Sequence, residues 1–325
     1  MSMKITEESW KKKKAFRISR GIMDVSEVIV VELSDGVYRG FGECSPTDHY
    51  GESMASVLAQ LKSICYAVAG GVSRKEIQEL LPAGAARNAL DCAYWDFEAK
   101  KSGVPAWKTA GISEPRPIQT AYTLSLESPE EMAEIARQEA CRGLLKLKLG
   151  DDDDIARVEA VRAAAPDVRV IVDANEAWTM GKLRTYAPEL MRLGVTLIEQ
   201  PLPAEHDEEL EGYESPVPLC ADESCHVAAD VEQVSKRYQF ANIKLDKTGG
   251  LTEALELVWR AQAAGLRLMV GCMGGTSLAM APGLIVASYC EVVDLDAPLL
   301  QSEDREHALR YDGGIIHPAS GELWG

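Results

Sequence analysis

The spacing of apolar residues changes about a third of the way along the chain. Before that point, the apolar runs at 28–33 ("VIVVEL") and 38–46 ("YRGFGECSP") predict two strands joined by a turn. The segment 86–103 has the apolar spacing of an amphipathic helix and ends at Gly103, a residue that favours helix termination. We therefore expect an α+β domain over residues 1–117.

From residue 118 onward, short runs of Val, Ile and Leu alternate with helical segments, and a strand end recurs every 22 to 28 residues. The predicted strand ends are Thr123, Lys148, Asp173, Glu199, Asp222, Lys244, Cys272 and Asp294. Eight successive βα units of this length favour a closed parallel barrel over an open doubly wound sheet. We expect an α/β barrel over residues 118–300 and a tail, 301–325, that returns to the N-terminal domain.

Charge and composition exclude several classes of protein. The 325 residues include 46% hydrophobic residues and carry a formal charge of −17, which argues against nucleic acid or anionic membranes as partners. No apolar stretch approaches the roughly 18 residues of a membrane span, and no apolar segment follows the basic run Lys11–Lys14 as it would in a signal peptide. The eight cysteines are scattered without a CxxC pair. These features predict a cytoplasmic protein with reduced thiols and leave a homo-oligomer open.

Charged residues follow most of the predicted strands, at the end of a barrel where catalytic residues lie. Asp173, Glu199 and Asp222 end three consecutive strands and should converge. Carboxylates placed so close together need a cation, and oxygen donors without His or Cys favour Mg²⁺ over Zn²⁺. An octahedral ion held by three protein oxygens keeps about three sites for water or substrate. The alternative is a structural network in which the carboxylates pair with lysines.

Two lysines should face each other across this cluster. Lys146 and Lys148 lie two residues apart in "LLKLKLG", so they point to the same side of a strand, and Lys244 ends a strand beyond the carboxylates. One neutral and one protonated amine, Lys148 and Lys244, suit removal of a proton from one face of a carbon and its return to the other. Lys146 and Mg²⁺ would lower the pKa of the base, and Mg²⁺ would stabilise the enediolate. A Schiff-base aldolase, the alternative chemistry, needs one lysine and no carboxylate triad.

The motifs "KLKLG", "DAN", "IEQP", "ADES" and "NIKLDKTGG" together resemble those of the enolase superfamily, muconate-lactonising subgroup. The resemblance implies a modified (β/α)8 barrel of the (β/α)7β type, under a capping domain built from the N-terminal part and the C-terminal tail. It also implies metal ligands at Asp173, Glu199 and Asp222 and acid/base lysines at Lys148 and Lys244. The subgroup includes muconate cycloisomerase, o-succinylbenzoate synthase and dipeptide epimerases, so the metal site alone leaves the substrate open.

The "DLD" motif separates these activities. Asp294 and Asp296 lie on one face of the eighth strand, and two carboxylates suit a substrate ammonium group. This pattern resembles the dipeptide epimerases, which implies interconversion of L-Ala-D-Glu and L-Ala-L-Glu by proton transfer at the glutamyl α carbon, in murein peptide metabolism. A capping or surface acidic pair is the alternative for these residues. A cycloisomerase, an o-succinylbenzoate synthase or an epimerase of other dipeptides is the alternative for the protein.

The resemblance implies two further substrate-binding residues, and the chain departs from the family pattern at one position. Arg20 lies where the family's mobile cap loop presents a cation to the distal carboxylate of the substrate, although Arg17 is nearby. Thr123 matches a residue that bonds substrate backbone, or is a core threonine. Many relatives have a glutamate where this chain has Gly275, in "GCMGGTS", so the loop after strand seven should shape the pocket differently.

Overall fold

The computed structural model describes residues 1–325, and its N-terminal part is a three-stranded antiparallel sheet packed on helices. The elements are β1 (Ser2–Ile18), β2 (Gly21–Ser34), β3 (Arg39–Cys44), α1 (Met54–Ala69), α2 (Ile77–Leu80), α3 (Ala85–Ser102) and α4 (Ala106–Thr109). The two predicted strands correspond to β2 and β3, and the predicted helix is α3 within one residue at each end. Strand β1 was not predicted.

The predicted barrel is present as an eight-stranded parallel sheet in the order β5 to β12. The strands from residue 118 are β4 (Ile118–Gln119), β5 (Tyr122–Leu124), β6 (Leu144–Lys148), β7 (Arg169–Asp173), β8 (Val195–Glu199), β9 (Leu219–Ala221), β10 (Phe240–Ile243), β11 (Arg267–Val270) and β12 (Val292–Val293). The helices are α5 (Pro129–Glu139), α6 (Asp154–Ala164), α7 (Met180–Arg192), α8 (Val231–Arg237), α9 (Leu245–Thr248), α10 (Leu251–Ala263), α11 (Ser277–Met280) and α12 (Gly283–Ala287).

Hydrogen bonds between the first and last strands close the sheet into a barrel. Ala121 N–H donates to Val293 O at 2.8 Å, and Leu295 N–H donates to Thr120 Oγ1 at 3.0 Å. The interior is filled by one buried side chain from each strand or its flank: Ala121, Leu144, Ile171, Leu197, Cys220, Phe240, Met269 and Val292. A larger apolar core lies between the barrel and its helices. No helix is both long and apolar enough to cross a bilayer, and all eight cysteines are unpaired.

The C-terminal tail contacts both parts of the chain. Its hairpin, β13 (Tyr311–Asp312) and β14 (Ile315–Ile316), pairs with β4, while the Trp324 indole N–H donates to Cys92 O of α3 at 3.1 Å. The division at residues 117 and 300 stays a prediction.

The hairpin of β1 and β2 reaches over the C-terminal end of the barrel. Ser302 N–H donates to Lys11 O at 2.8 Å, and Leu126 N–H donates to Arg17 O at 2.9 Å. These bonds anchor the hairpin to the segments that follow β5 and β12, so its side chains can line the same space as the strand ends.

Candidate active site

The alternation of side chains along β6 gives its two lysines a common direction, as the sequence predicted. Leu144 lies in the layer that fills the barrel, and Lys146 and Lys148 follow it on that inner side. Leu145 and Leu147 point outward into the core against the helices. Both lysines are buried, so two ammonium groups enter the barrel mouth from a single strand.

The three predicted carboxylates converge at this mouth. Asp173 and Glu199 are register partners at the ends of β7 and β8, and Asp222 directly follows β9. Lys148 Nζ lies 2.6 Å from Asp173 Oδ2, and Lys244 Nζ lies 2.6 Å from Asp222 Oδ2. The two lysines therefore contact the opposite ends of the carboxylate row.

Lys146 lies at the centre of the cluster. Its Nζ is 2.7 Å from Glu199 Oε2, 2.8 Å from Asp294 Oδ2 and 3.1 Å from Asp173 Oδ2. Burial disfavours its charged form, but these carboxylates, Asp294 foremost, outweigh burial and raise its pKa well above the ordinary value. Its contacts with three carboxylates therefore favour the charged form of Lys146.

The same balance governs Lys244. Burial and the charge of Lys146 lower its pKa, the latter in the direction predicted for this neighbour, but Asp222 and Glu199 outweigh both and raise it. The carboxylates, not the neighbouring ammonium, dominate its protonation in this arrangement.

Glu199 provides the test of whether the cluster suits a cation. Asn242 Nδ2 donates to its Oε1 at 2.8 Å, whereas the buried Oε2 has no partner beyond its ion pair with Lys146 Nζ, 2.7 Å away. Burial, followed by the charge of Asp173, raises the pKa of Glu199 to about 7. Three buried carboxylates held this close together supply the hard oxygen donors that Mg²⁺ prefers. The residues present fit a divalent cation.

Sequence reasoning missed Lys247 and Asn242. Lys247, fully buried in α9, places its Nζ 2.7 Å from Asp222 Oδ1 and donates to Asn242 O at 3.0 Å. Asn242 lies two residues before Lys244, so strand alternation could have placed its side chain at the mouth. Lys247 lies on a one-turn helix beyond the strand, where no periodicity marks its direction.

Asp294 and Asp296 are buried at the mouth and do not form a surface pair. Thr123 connects them: its N–H donates to Asp296 Oδ2 at 2.6 Å and its hydroxyl to Asp294 Oδ1 at 3.3 Å. Burial and the charge of Asp294 raise the pKa of Asp296 to about 7. The structure therefore brings Thr123, both aspartates and Lys146 together.

Arg20 lies at the turn between β1 and β2 and spans two barrel loops. Its Nη2 lies 2.8 Å from Glu223 Oε1, and its Nη1 lies 3.0 Å from Glu176 Oε2 and 3.1 Å from Asn175 O. The side chain is 32% exposed. Arg17, the other arginine considered, is exposed and contacts the barrel through its backbone N–H, which donates to Ser125 Oγ at 2.7 Å. Sequence reasoning missed Glu223 and Glu176.

The structure explains why position 275 is a glycine. A Cβ there would lie 2.6 Å from Glu43 Oε1, and the backbone φ of +104° disfavours any side chain. The Glu43 carboxylate, buried at the end of β3, accepts from Thr276 N–H at 2.7 Å and from Arg305 Nη2 at 2.7 Å. A residue of the N-terminal domain thus fills the space beside this loop.

Comparison with known proteins identifies the family of the chain. Residues 1–111 match the family described as "Mandelate racemase / muconate lactonizing enzyme, N-terminal domain", and residues 128–322 match "Enolase C-terminal domain-like". The L-Ala-D/L-Glu epimerase of Escherichia coli K12 is 44% identical over 318 residues, covering 97% of this chain and 99% of that protein. An N-acetyl-D-glutamate racemase from a Pseudoalteromonas species is 45% identical over 301 residues, covering 92% and 95%.

Solved structures are also similar over nearly the whole chain. An enolase family member from Agrobacterium tumefaciens with homology to dipeptide epimerases, bound to sodium and L-Ala-L-Glu, is 47% identical with a TM-score of 0.97, covering 99% of each chain. The dipeptide epimerase of Enterococcus faecalis, complexed with Mg and L-Leu-L-Tyr, is 26% identical with a TM-score of 0.92, covering 99% of this chain and 98% of that one.

Proposed function

Because this chain belongs to the enolase superfamily, in the mandelate racemase and muconate-lactonizing branch, we propose that it is a dipeptide epimerase that interconverts L-Ala-D-Glu and L-Ala-L-Glu. The observation that carries the proposal is the pair of buried lysines, Lys148 and Lys244, at opposite ends of one carboxylate row. An epimerase must remove and return a proton on opposite faces of one carbon, and two amines placed this way suit that task.

Each lysine has one task in each direction of the reaction. The lysine whose amine is neutral accepts the α proton of the glutamyl residue, and the other, as an ammonium, donates a proton to the opposite face. Lys146, held by three carboxylates, remains charged throughout and neutralises negative charge beside the reacting carbon. The roles reverse when the other epimer binds.

Asp173, Glu199 and Asp222 would hold the divalent cation, Mg²⁺, because they offer hard oxygens at three consecutive strand ends. When bound, this cation would supply the positive charge that offsets the negative charge developing on the substrate carboxylate as the α proton leaves. The similarity to a neighbour complexed with Mg supports this choice.

The two ends of the substrate would contact different charges. Asp294 and Asp296 would accept hydrogen bonds from the N-terminal ammonium, with Thr123 holding the pair in place. Arg20 would contact the distal carboxylate of the glutamyl side chain. This pairing of an acidic and a basic end supports the dipeptide over a cycloisomerase or o-succinylbenzoate synthase substrate, neither of which carries an ammonium group.

Racemisation of N-acetylglutamate is a second candidate. It needs the same lysines and the same distal cation but no ammonium, and a relative with that name is as similar as the epimerase. One observation favours it: Lys146 and Thr123 already bond the acidic pair, so these aspartates do not depend on a substrate ammonium.

We propose a cytoplasmic location and no nucleic acid partner. The eight unpaired cysteines support a reducing compartment, and the formal charge of −17 opposes binding to a polyanion.

The test is exchange of the α proton in D₂O with Mg²⁺, followed by proton NMR. We expect the glutamyl α-proton signal of L-Ala-L-Glu to disappear while signals of L-Ala-D-Glu grow. N-acetyl-L-glutamate is the second substrate of the same experiment. The proposed function would be contradicted if neither compound exchanged its α proton and other dipeptides and N-succinyl amino acids were inert as well.

A further inference from the structure

Lys12 differs from every other residue of β1 because it is buried. The run Lys11–Lys14 exposes three of its four lysines, whereas Lys12 is only 8% exposed. Burying a lysine without a carboxylate partner lowers the stability of the folded chain, so such a residue suggests a functional role. None of the steps proposed above uses it.

The backbone explains how Lys12 becomes buried. Strand alternation places Lys12 on the same face as Glu8 and Trp10, which are partly buried, and the register of β1 with β2 shifts only beyond Lys11. Lys12 forms a bridge with Gln301, and Lys13 Nζ donates to Leu299 O at 2.9 Å. This part of β1 therefore packs on the segment that directly follows Asp296.

The Lys12 ammonium group has few partners. It donates to Ser26 Oγ at 3.0 Å and lies 5.7 Å from the centre of the Phe16 ring. Burial lowers its pKa, while the negative charge of Asp296 acts in the opposite direction. Because the backbone of Lys12 pairs with Gln301, five residues beyond Asp296, the ammonium lies on the side of the mouth formed by the residues after β12, where the charge of Asp296 acts on it.

We propose that Lys12 is a specificity-determining residue whose charge offsets that of Asp296 at the amino end of the substrate site, so that the site accepts N-acylated glutamate as well as L-Ala-Glu. This inference rests on the proposed function. A free N-terminal ammonium is attracted by Asp294 and Asp296 but repelled by Lys12, whereas a neutral acyl group is not repelled. Lys12 therefore reduces the preference of the site for a charged amine over a neutral acyl group.

The substitution Lys12→Met removes the charge and keeps the apolar stem. We expect the ratio of kcat/KM for L-Ala-L-Glu to that for N-acetyl-L-glutamate to rise about fivefold or more, as expected for one partly screened charge near a ligand ammonium. Lys12→Arg should keep the ratio near that of the parent. Lys14→Met is the matched control, since Lys14 is exposed on the same strand, and it should not change the ratio.

Several outcomes would overturn the inference. One is a ratio in Lys12→Met within twofold of the parent ratio. Another is a parent enzyme that epimerises L-Ala-L-Glu but leaves N-acetyl-L-glutamate unexchanged. A loss of activity toward both substrates in equal proportion would also count against it, because a purely structural role predicts that result.

Binding measurements keep this inference separate from the proposed function. If the parent turned over neither substrate, the proposed function would fail, yet calorimetry with L-Ala-Gly and N-acetylglycine would still test Lys12. Lys12→Met should lower the Kd for L-Ala-Gly about fivefold and leave the Kd for N-acetylglycine within twofold of the parent value. Equal changes for the two ligands, or no binding of either by parent and variant, would contradict the inference.

Discussion

At the scale of single residues, the contacts of Lys148 and Lys244 determine what each substitution should do. Each lysine contacts a different carboxylate at one end of the row, so each should serve one face of the substrate carbon. We expect Lys148→Ala and Lys244→Ala each to lower the rate of epimerisation at least about 10³-fold. The remaining lysine should still exchange the α proton of one epimer.

Deuterium incorporation measured separately for L-Ala-L-Glu and L-Ala-D-Glu checks this prediction. The two variants should retain exchange with opposite epimers. Lys62→Ala, on the exposed face of α1, is the control and should match the parent. A variant of either active-site lysine that epimerised near the parent rate would show that the two-base scheme is wrong.

Arg20 should set the preference for an acidic side chain. It reaches the mouth from the hairpin turn and is held by Glu176 and Glu223, so its guanidinium is positioned before substrate arrives. We expect Arg20→Met to raise KM for L-Ala-L-Glu about tenfold or more, with a much smaller effect on L-Ala-L-Met. Arg17→Met provides the control. Equal losses for the acidic and neutral dipeptides would contradict this role.

At the scale of elements, the one-turn helix α9 connects the barrel to the N-terminal domain through a buried carboxylate. Asp246 accepts from Asn88 Nδ2 at 2.8 Å and from Ser45 N–H at 3.1 Å. Burial raises its pKa to about 7 from an ordinary value of 3.8. The folded chain therefore holds a proton that the unfolded chain has released, and this group's contribution to stability falls as the pH rises from about 4 to about 7.

Asp246→Asn should remove that contribution while keeping the Oδ1 acceptor. We expect the free energy of unfolding at pH 8 to rise by about 1–2 kcal/mol relative to the parent, and the difference between parent and variant to shrink at pH 5. Urea unfolding at the two pH values measures both quantities. If the variant and the parent differed by the same amount at pH 5 and pH 8, the raised pKa of Asp246 would not be the cause.

Elements with a regular pattern could be predicted from the sequence, and the others could not. In the sequence, the barrel strands are short runs of alternating or continuous apolar residues between helical segments. The residues that end or follow β6 to β10 could therefore be assigned before the fold was known. Strand β1 lies at a sheet edge with nearly every residue at least partly exposed, and its run of lysines hides any alternation. The register shift between Lys11 and Phe16 is equally invisible in the sequence.

At the scale of the whole molecule, the unpredicted contacts are those between distant parts of the chain. Arg20 meets Glu223 across 203 residues, and Arg305 meets Glu43 across 262. Local periodicity predicts the direction of a side chain within its element but not the partner that another domain presents. The carboxylate triad was predictable because a barrel brings the ends of neighbouring strands together whatever lies between them.

The carboxylate cluster should link metal binding to the stability of the whole barrel. Its ligands come from three strands, so a cation bound to Asp173, Glu199 and Asp222 favours the folded chain over the unfolded one. We expect chelation with EDTA to abolish epimerisation and lower Tm, and Mg²⁺ to restore both. At one hundred times its Kd, the ion should add about 2.7 kcal/mol to the free energy of unfolding.

Glu199→Gln tests whether the added stability comes from this cluster, because an amide keeps the shape of the side chain but is a weaker ligand. The increase in Tm with Mg²⁺ should largely disappear in this variant at the same Mg²⁺ concentration. Asp152→Asn, which removes a fully exposed carboxylate, should keep the full increase. If Glu199→Gln and the parent gained the same Tm with Mg²⁺, the ion would bind elsewhere on this acidic protein, and the assignment of the three carboxylates as its ligands would be wrong.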